Sequence, residues 1–388
     1  MEEEDAGIAI PCDPSGRSKG PWSLAMTQTS ITVRWETCKA GTPAGIFFAP
    51  EGTKPNVRAE SVEKAFDVTA TFKAPLNPNA PQDHATRWYL HEAKLDGLEP
   101  STCYRYELEI DRSISGRFCT ARPPGEAFRF MAIGDTNPSL GSLTGDLLAK
   151  VLPKNPELIV HAGDIQYYES RVETWASWFP VMSPMLRTAS LAYATGNHEY
   201  ETKTEYQEYV ERFFGGAGFD GTNHYYRLMT AGVWFFMLDS EEPFDITSPQ
   251  GQWLVASLAD ASTKPGYRFS IVTIHKLFVT CGDTGDHPDW VASFTAPFDQ
   301  YKVPLVIQAH MHGYERFEIN GRTFITTAGG GGIIGNVDEN KSRSYCAQRV
   351  ASGPHHHAMI FDVSAGKISG SAINESGNVV DQFEKMVP

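Results

Sequence analysis

The sequence predicts a layered α/β domain preceded by a smaller all-β region. Short alternating segments punctuated by turn residues fill residues 20–121, whereas short apolar runs separated by helical stretches fill residues 125–388. A Pro-Pro-Gly sequence between the two ranges is typical of a stiff linker. Because 388 residues are long for one hydrophobic core, we expect two domains over these ranges and a tail over residues 1–19.

The predicted all-β region contains a recognisable corner. Ser30–Trp35 alternates with period two, as a half-buried strand does. Further on, Leu98, Pro100, Thr102 and Tyr104 form a Leu-x-Pro-x-Thr-x-Tyr pattern. This pattern resembles the corner of a fibronectin type III domain, in which a tyrosine near the start of a strand hydrogen-bonds back across the turn. The resemblance implies a fibronectin type III-like β-sandwich over residues 20–121.

The α/β prediction depends on six apolar runs, which are typical of strands buried on both faces. The runs are Phe128–Ile133, Glu157–Val160, Leu191–Thr195, Val233–Leu238, Phe269–Ile274 and Leu305–Gln308. Apolar residues recur at helical spacing in 140–152 and 205–214. Alternating strands and helices indicate a layered α/β domain.

Five of these six runs lead into residues that can bind a metal ion. The candidates are Asp135, Asp164, Tyr167, Asn197, His275, His310 and His312. Ligands of open α/β sheets gather beyond the carboxyl ends of the strands, so we expect these side chains to converge. Carboxylates, an amide, a phenol and imidazoles together favour iron, zinc or manganese over calcium. The absence of cysteine from the set argues against structural zinc.

The order of the motifs resembles the purple acid phosphatase branch of the calcineurin-like metallophosphoesterases. The motifs are Gly-Asp, Gly-Asp-x-x-Tyr, Gly-Asn-His-Glu, Val-x-x-His and His-x-His, spread over residues 135–312. The resemblance implies one ferric ion on Asp135, Tyr167 and His312, a second ion (zinc, manganese or ferrous iron) on Asn197, His275 and His310, and Asp164 as the bridge. It also implies that His198 contacts the phosphoryl group and protonates the leaving oxygen, and that His287 contacts the substrate.

The function implied is hydrolysis of small-molecule phosphate monoesters by a metal-activated hydroxide. A phosphodiesterase or nucleotide pyrophosphatase on the same scaffold is the alternative. A binding protein with an inert metal domain is a third reading, but such a protein would usually have lost a ligand or the phosphoryl-contacting histidine. The net charge of −14 argues against nucleic acid as a partner. An acidic phosphoesterase needs a local positive centre, which two metal ions would supply.

Other features bear on location and on alternative sites. No apolar run approaches the roughly 18 residues of a membrane span. No signal peptide is evident, so the chain is either cytosolic or a mature secreted or periplasmic form with an added methionine. The six cysteines permit up to three disulfides. Cys103 and Cys119 fall in the expected last hairpin of the all-β region, and we predict that they bond if the protein is secreted.

Several polar residues outside the ligand set have structural interpretations. We expect His161 to pack inside its strand and Asp239 to form a turn. The run 355–357 of three histidines precedes an alternating segment and indicates a strand edge, with contact to the rim of the site as the alternative. The glycines 329–332 follow a strand and lack a Lys-Ser/Thr ending, so we expect a tight loop rather than a phosphate-binding one.

Overall fold

The computed structural model describes residues 12–68, 86–167, 171–201 and 206–387. The strands are β1 (Arg17–Leu24), β2 (Ser30–Thr37), β3 (Gly45–Pro50), β4 (Val57–Glu60), β5 (Val62–Val68), β6 (Thr86–Asp96), β7 (Cys103–Leu108), β8 (Ser115–Cys119), β9 (Phe128–Ile133), β10 (Leu158–His161), β11 (Ser190–Tyr193), β12 (Asp220–Gly221), β13 (Tyr226–Thr230), β14 (Val233–Met237), β15 (Phe269–Thr273), β16 (Leu305–Gln308), β17 (Tyr314–Ile319), β18 (Arg322–Thr327), β19 (Arg349–Gly353), β20 (His357–Ser364), β21 (Lys367–Asn374) and β22 (Val379–Met386). The α-helices are α1 (Leu143–Val151), α2 (Arg171–Leu186), α3 (Pro249–Ser262) and α4 (Pro288–Gln300). Short 3₁₀ turns span Pro138–Leu140, Leu152–Lys154, Asn197–Tyr200 and Cys346–Gln348, and a π-helical segment spans Tyr206–Glu211.

Two large sheets form the centre of the molecule. The first sheet has ten strands in the order β22-β21-β20-β9-β10-β11-β1-β2-β6-β5, and β9, β10, β11 and β1 run parallel. The second sheet has eight strands in the order β12-β13-β14-β15-β16-β18-β17-β19, with a parallel core of β14, β15, β16 and β18. The parallel strands β10, β15 and β16 are buried along their length, which explains their largely apolar sequences.

The sheets pack face to face between two helical layers. Phe130 in β9 meets Phe235 in β14 edge-on, with ring centroids 5.2 Å apart. On the first sheet, α2 packs Phe179 against Trp22 of β1 at 4.8 Å, and α1 lies over β20 and β21. On the second sheet, α3 and α4 share an apolar cluster with Phe236. The predicted mixed α/β class is therefore confirmed.

The two predicted helices differ from the observed ones in length and type. The first, predicted over 140–152, is α1, which begins only at Leu143 because a 3₁₀ turn and Gly141 precede it. The second, predicted over 205–214, contains the π-helical segment, and residue 205 lies outside the described residues.

The N-terminal strands divide between two sheets. Strands β1, β2, β5 and β6 extend the first sheet, and β4-β3-β7-β8 form a separate third sheet. At the predicted corner, the Glu99 N–H donates to the Tyr104 hydroxyl at 2.9 Å. Because β1 pairs with β11, the first sheet runs unbroken from the N-terminal region into the α/β region. It also begins at Arg17, inside the predicted tail. The fibronectin type III assignment and the domain boundaries stay predictions.

Three disulfides join the six cysteines. Cys103 and Cys119 are register partners on β7 and β8 and are bonded, as predicted. The other two pairs are Cys12–Cys38 and Cys281–Cys346.

Within the described ranges, no helix combines the length and apolar character that crossing a membrane requires.

A buried charge cluster ties β2 to the segment that follows the π-helix. We call Lys19, Glu36 and Arg212 the ion-pair cluster. Glu36 accepts from Lys19 Nζ at 2.9 Å through one oxygen and from Arg212 Nε at 2.7 Å through the other. All three side chains are almost fully buried. On the same strand, Arg34 Nε donates to Glu92 at 2.8 Å.

Candidate metal centre

The seven predicted ligands lie at the carboxyl ends of parallel strands in both sheets. Asp135 follows β9, Asp164 and Tyr167 follow β10, Asn197 follows β11, His275 follows β15, and His310 and His312 follow β16. Because the two sheets face each other, these strand ends lie close together. Polar atoms of five of the residues form two overlapping groups.

The first group consists of Asp164, His275 and His310, whose donor atoms all lie within 4.8 Å of one another. His275 Nε2 is 3.2 Å from Asp164 Oδ2 and 3.2 Å from His310 Nδ1. Its other nitrogen, Nδ1, lies 3.0 Å from the Ala162 carbonyl oxygen. Because a carbonyl only accepts, Nδ1 donates to it, and Nε2 is the nitrogen that faces the group.

The second group consists of Asp135, Asp164 and His312, again within 4.8 Å. His312 Nδ1 donates to the Ile333 carbonyl at 2.6 Å, which leaves Nε2 as the inward-facing atom, 3.1 Å from Asp135 Oδ1. The Tyr167 hydroxyl joins the group at 2.6 Å from Asp135 Oδ1 and 2.7 Å from His312 Nε2. Asp164 therefore belongs to both groups and lies between them.

An unsatisfied amide oxygen tests whether these residues fit metal ions. Asn197 Oδ1 is buried and has no hydrogen-bond partner among the described residues. Burying such an oxygen without a partner costs about 1–3 kcal/mol. The adjacent Gly196 packs on Asp164 so closely that a Cβ would lie 2.2 Å from Asp164 Oδ1. An oxygen held there without a donor fits a cation, and the whole donor set fits a pair of them.

The backbone at three of the ligands is strained. Asp135, Asp164 and His310 have φ values of 59°, 45° and 67°. Residues other than glycine held in the left-handed region cost about 1–3 kcal/mol each, and such residues cluster at functional sites. The conformation turns each chain sharply at the end of its strand and aims the side chain into the centre.

Burial and charge act in opposite directions on the pKa values of the centre. Burial lowers the pKa of His310 to about 4. For His275 and His312 burial has the same effect, but the carboxylates of Asp164 and Asp135 outweigh it and raise the pKa to about 8 and about 9. Burial would raise the pKa of Asp164, but His275 more than offsets this and lowers it. Burial would likewise raise the pKa of Asp135, but the hydrogen bond to His312 leads the effects that lower it. Both aspartates are therefore ionised at neutral pH, as ligands of cations must be.

His198 lies beside the first group with its ring turned toward the centre. Its Nε2 is 3.8 Å from Asp164 Oδ2, and its Nδ1 is hydrogen-bonded to Glu201 Oε1. Its backbone N–H donates to Asp164 Oδ1 at 3.0 Å, and its ring centroid is 4.2 Å from that of Tyr167. Burial lowers the pKa of His198, but the hydrogen bond to Glu201 leads the opposing effects, which raise it overall.

Two glutamates next to His198 were not identified from the sequence. Glu199 is fully buried and accepts from the backbone N–H groups of Asp164 at 3.0 Å and Gly196 at 2.8 Å. It therefore fixes two ligand loops to each other. Glu201 orients His198. The only sequence signal was their position inside and just after the Gly-Asn-His-Glu motif.

His287 lies at the start of α4. Its imidazole stacks on Trp290 of α4 with ring centroids 4.0 Å apart. Its backbone N–H donates to the Leu277 carbonyl at 2.9 Å. Contact between His287 and a substrate stays a prediction.

The residues given structural interpretations behave largely as expected. His161 is buried, with Nε2 3.0 Å from the Thr136 hydroxyl. Asp239 lies two residues beyond β14, in an isolated bridge with Thr195, and accepts from the Glu241 N–H at 2.9 Å, as in a turn. His357 begins β20, as a strand-edge role requires. The glycines 329–332 form a loop whose backbone runs along residues 134 and 135, and a Cβ on Gly332 would lie 2.9 Å from His312 Cε1.

Comparison with known proteins finds similarity to a family of phosphoesterases. The calcineurin-like phosphoesterase family matches residues 128–314, so the chain contains a calcineurin-like phosphoesterase domain. Among curated relatives, purple acid phosphatase 23 of Arabidopsis thaliana is 25% identical over 325 residues, covering 68% of this chain and 67% of that protein. Purple acid phosphatase 22 of the same plant is 26% identical over 242 residues, covering 59% of this chain and 54% of that protein.

A solved structure shares the fold over almost the whole chain. Purple acid phosphatase PPD1 from yellow lupin (Lupinus luteus) seeds superposes with a TM-score of 0.76 at 16% identity, covering 94% of this chain and 73% of that one. The protein is thus a metallophosphoesterase in fold, with purple acid phosphatases among its homologues. The chain spans only about half the length of several of the curated relatives it matches.

Proposed function

We propose that this protein is a dinuclear-metal phosphatase that hydrolyses phosphate monoesters. The position of Asp164 carries the proposal, because one carboxylate shared by two donor groups is what a bridged pair of ions requires. Purple acid phosphatase homologues support the same conclusion.

The residues of the centre divide between two ions of different character. Asp135, Tyr167 and His312 would hold ferric iron, since a phenolate suits a trivalent ion. Asn197, His275 and His310 would hold zinc, manganese or ferrous iron. Bound there, the two ions supply Lewis acidity toward the phosphoryl oxygens and lower the pKa of a water to provide the nucleophile.

The protein's own contribution at the leaving group is assigned to His198. Glu201 holds Nδ1, so Nε2 is the atom that faces the centre. Burial lowers the pKa of His198, but the hydrogen bond to Glu201 leads the effects that raise it overall, which favours the protonated ring. His198 is then placed to protonate the departing alkoxide, an aid typically worth about 10²–10⁴-fold.

The disulfides support a location outside the cytosol. Three bonds that use every cysteine are typical of oxidising compartments. We therefore place the protein in the secreted or periplasmic class.

The reaction is tested by metal analysis and kinetics on the same preparation. Protein carrying two metals per chain should hydrolyse nitrophenyl phosphate, and it should act much less well on the bis(nitrophenyl) ester. A visible absorption band that disappears in Tyr167→Phe would assign the phenolate to ferric iron. Metal-loaded protein that prefers the diester would overturn the monoesterase proposal.

The role of His198 is tested by varying the leaving group. An alkoxide of high pKa cannot depart unprotonated, whereas a nitrophenolate leaves readily. His198→Ala should keep both metals and lose about 10²–10⁴-fold on alkyl phosphates, but much less on nitrophenyl phosphate. An equal loss on both substrates would show that His198 only positions the phosphoryl group.

A further inference from the structure

A basic cleft lies between the edge of the third sheet and the carboxyl end of α2. A cavity of about 500 Å³ there is lined by Arg105, Arg117 and Arg187, with one acidic residue, Glu51. An adjoining cavity of about 390 Å³ shares Arg105 and adds Lys54, Arg112 and one acidic residue, Glu107, which pairs with Arg112 at 2.6 Å. The cations of the two cavities, here called the basic cleft, are Lys54, Arg105, Arg112, Arg117 and Arg187. Such a concentration stands out in a chain with a net charge of −14.

The register of two strands places two of these arginines side by side, so their like charges repel. Arg105 on β7 and Arg117 on β8 are directly opposed in an antiparallel pair, so their side chains project from the same face. Like charges directly opposite destabilise a sheet. Arg117 Nε donates to Glu51 at 3.1 Å, but the exposed Arg105 forms no ion pair with any described residue. Folding alone therefore gives no reason for Arg105.

In another cleft of similar size on the same molecule, every cation is paired with a carboxylate. It has a volume of about 540 Å³ and is lined by Arg122, Arg129 and Lys367. Each of these cations is neutralised by a carboxylate, in the pairs Arg122–Glu157, Arg129–Asp362 and Lys367–Glu384. The contrast indicates that the unpaired charge in the basic cleft is available to a ligand.

The guanidinium of Arg187 is fixed in place by the backbone. Its Nε donates to the Ser115 carbonyl at 2.5 Å, and its own carbonyl accepts from the Arg117 N–H. Its two terminal nitrogens make no hydrogen bond with any described residue. A guanidinium held in this way can donate two parallel hydrogen bonds to a phosphate or sulfate group.

The basic cleft is separate from the metal centre. Helix α2 starts shortly after Tyr167 of the centre and ends at Leu186, beside the cleft. Sixteen residues at about 1.5 Å each make the helix about 24 Å long.

We propose that the basic cleft binds an anion carrying several closely spaced phosphate or sulfate groups. Two joined cavities accommodate such an extended ligand, and bound phosphate or sulfate would relieve the repulsion between Arg105 and Arg117.

The proposal is tested by calorimetric titration of the full chain with two probes, inorganic tripolyphosphate and sucrose octasulfate. Released phosphate is assayed to verify that the first probe is not turned over. Arg105→Gln should weaken binding of the preferred probe by at least about tenfold and leave thermal stability equal or slightly higher. The control, Arg129→Gln in the paired cleft, should bind as the wild type does. Binding should weaken with added salt.

The outcomes distinguish a phosphate ligand from a sulfate ligand, and they test anion binding separately from the proposed hydrolysis. Binding of tripolyphosphate alone identifies phosphate as the ligand group, binding of octasulfate alone identifies sulfate, and binding of both identifies charge density as the determinant. Wild-type protein that binds neither probe at low salt contradicts the proposal. So does undiminished binding in Arg105→Gln and in Arg105→Gln/Arg117→Gln. The result is independent of the proposed hydrolysis, since affinity at a remote cleft is measured.

Discussion

Two buried groups of charged side chains in this protein are built on opposite principles. In the ion-pair cluster, the carboxylate of Glu36 lies between Lys19 at 2.9 Å and Arg212 at 2.7 Å. In the metal centre, Asp135 and Asp164 share one site, and neither forms an ion pair with a lysine or arginine among the described residues. In the first group, fixed cationic side chains neutralise the carboxylate. The second leaves the balance to bound cations.

The two groups also differ in backbone conformation. Glu36 and Arg34 lie on the regular strand β2, whereas three of the metal-centre ligands have left-handed backbone conformations. An unsatisfied oxygen on Asn197 adds to the cost of the centre. Backbone strain thus accompanies the metal centre and not strand β2. Each group leaves one buried polar atom without a partner among the described residues, Asn197 Oδ1 in the centre and Arg212 Nη1 in the cluster. Substitutions should therefore affect the two groups in different measurements.

The largest effect is expected at Asp164. Asp164→Asn removes the one carboxylate common to both groups, so metal content should fall and activity should drop by at least about 10³-fold. Loss of even a single preorganised donor costs about 10²–10³-fold in other enzymes. Metal analysis and turnover of nitrophenyl phosphate measure the two effects. Near-native turnover with two bound metals would contradict the bridging assignment.

Glu36→Gln should lower the stability of the fold and leave the metal content unchanged. Removing one partner of a buried ion pair typically costs about 3–5 kcal/mol, because the remaining charges stay buried. Urea unfolding should show this loss, while the metal content of the folded protein stays at the wild-type value. Asp67→Asn, which breaks an exposed pair with Arg87, is the control and should leave stability nearly unchanged, because solvent screens the pair. Loss of metal from folded Glu36→Gln would show that the two groups are coupled.

The two groups also differ in how far the sequence could predict them. The metal ligands follow apolar strands in short motifs, and sheet geometry brings strand ends together, so their convergence could be expected. The pairing of Glu36 with Arg212 could not be predicted, because Arg212 lies 176 residues further along the chain and no local pattern links the two. Glu201 was missed for another reason. A glutamate on a solvated turn has the same sequence signature as one that orients a histidine.

Gly332 offers a smaller change to the metal centre that removes no ligand. A Cβ there would lie 2.9 Å from His312 Cε1, so Gly332→Ala should tilt the imidazole away from its hydrogen bond to Ile333. Perturbing the support of a metal ligand typically costs 10–100-fold in affinity or activity, and we expect about 10-fold for one methyl group. Gly366→Ala, where a Cβ would meet no atom within 4 Å, is the matched control. Equal metal affinity in the two variants would show that the loop yields to the methyl group.

The smallest effect is expected at the partly exposed ion pair of His224 and Asp239. His224 Nδ1 lies 3.0 Å from Asp239 Oδ2, and the hydrogen bond to this buried carboxylate raises the pKa of the half-exposed histidine. The unfolded-state pKa is about 6.5, so the stabilisation is complete below that pH and is lost as the pH rises through the higher folded-state pKa. His224→Asn should therefore lower the melting temperature more at pH 6 than at pH 9. The free-energy difference should stay within about 1 kcal/mol, since solvent screens the pair. The ring also stacks on Tyr206 at 4.5 Å, and loss of that contact is independent of pH. A destabilisation of the same size at both pH values would assign the whole effect to stacking and none to charge.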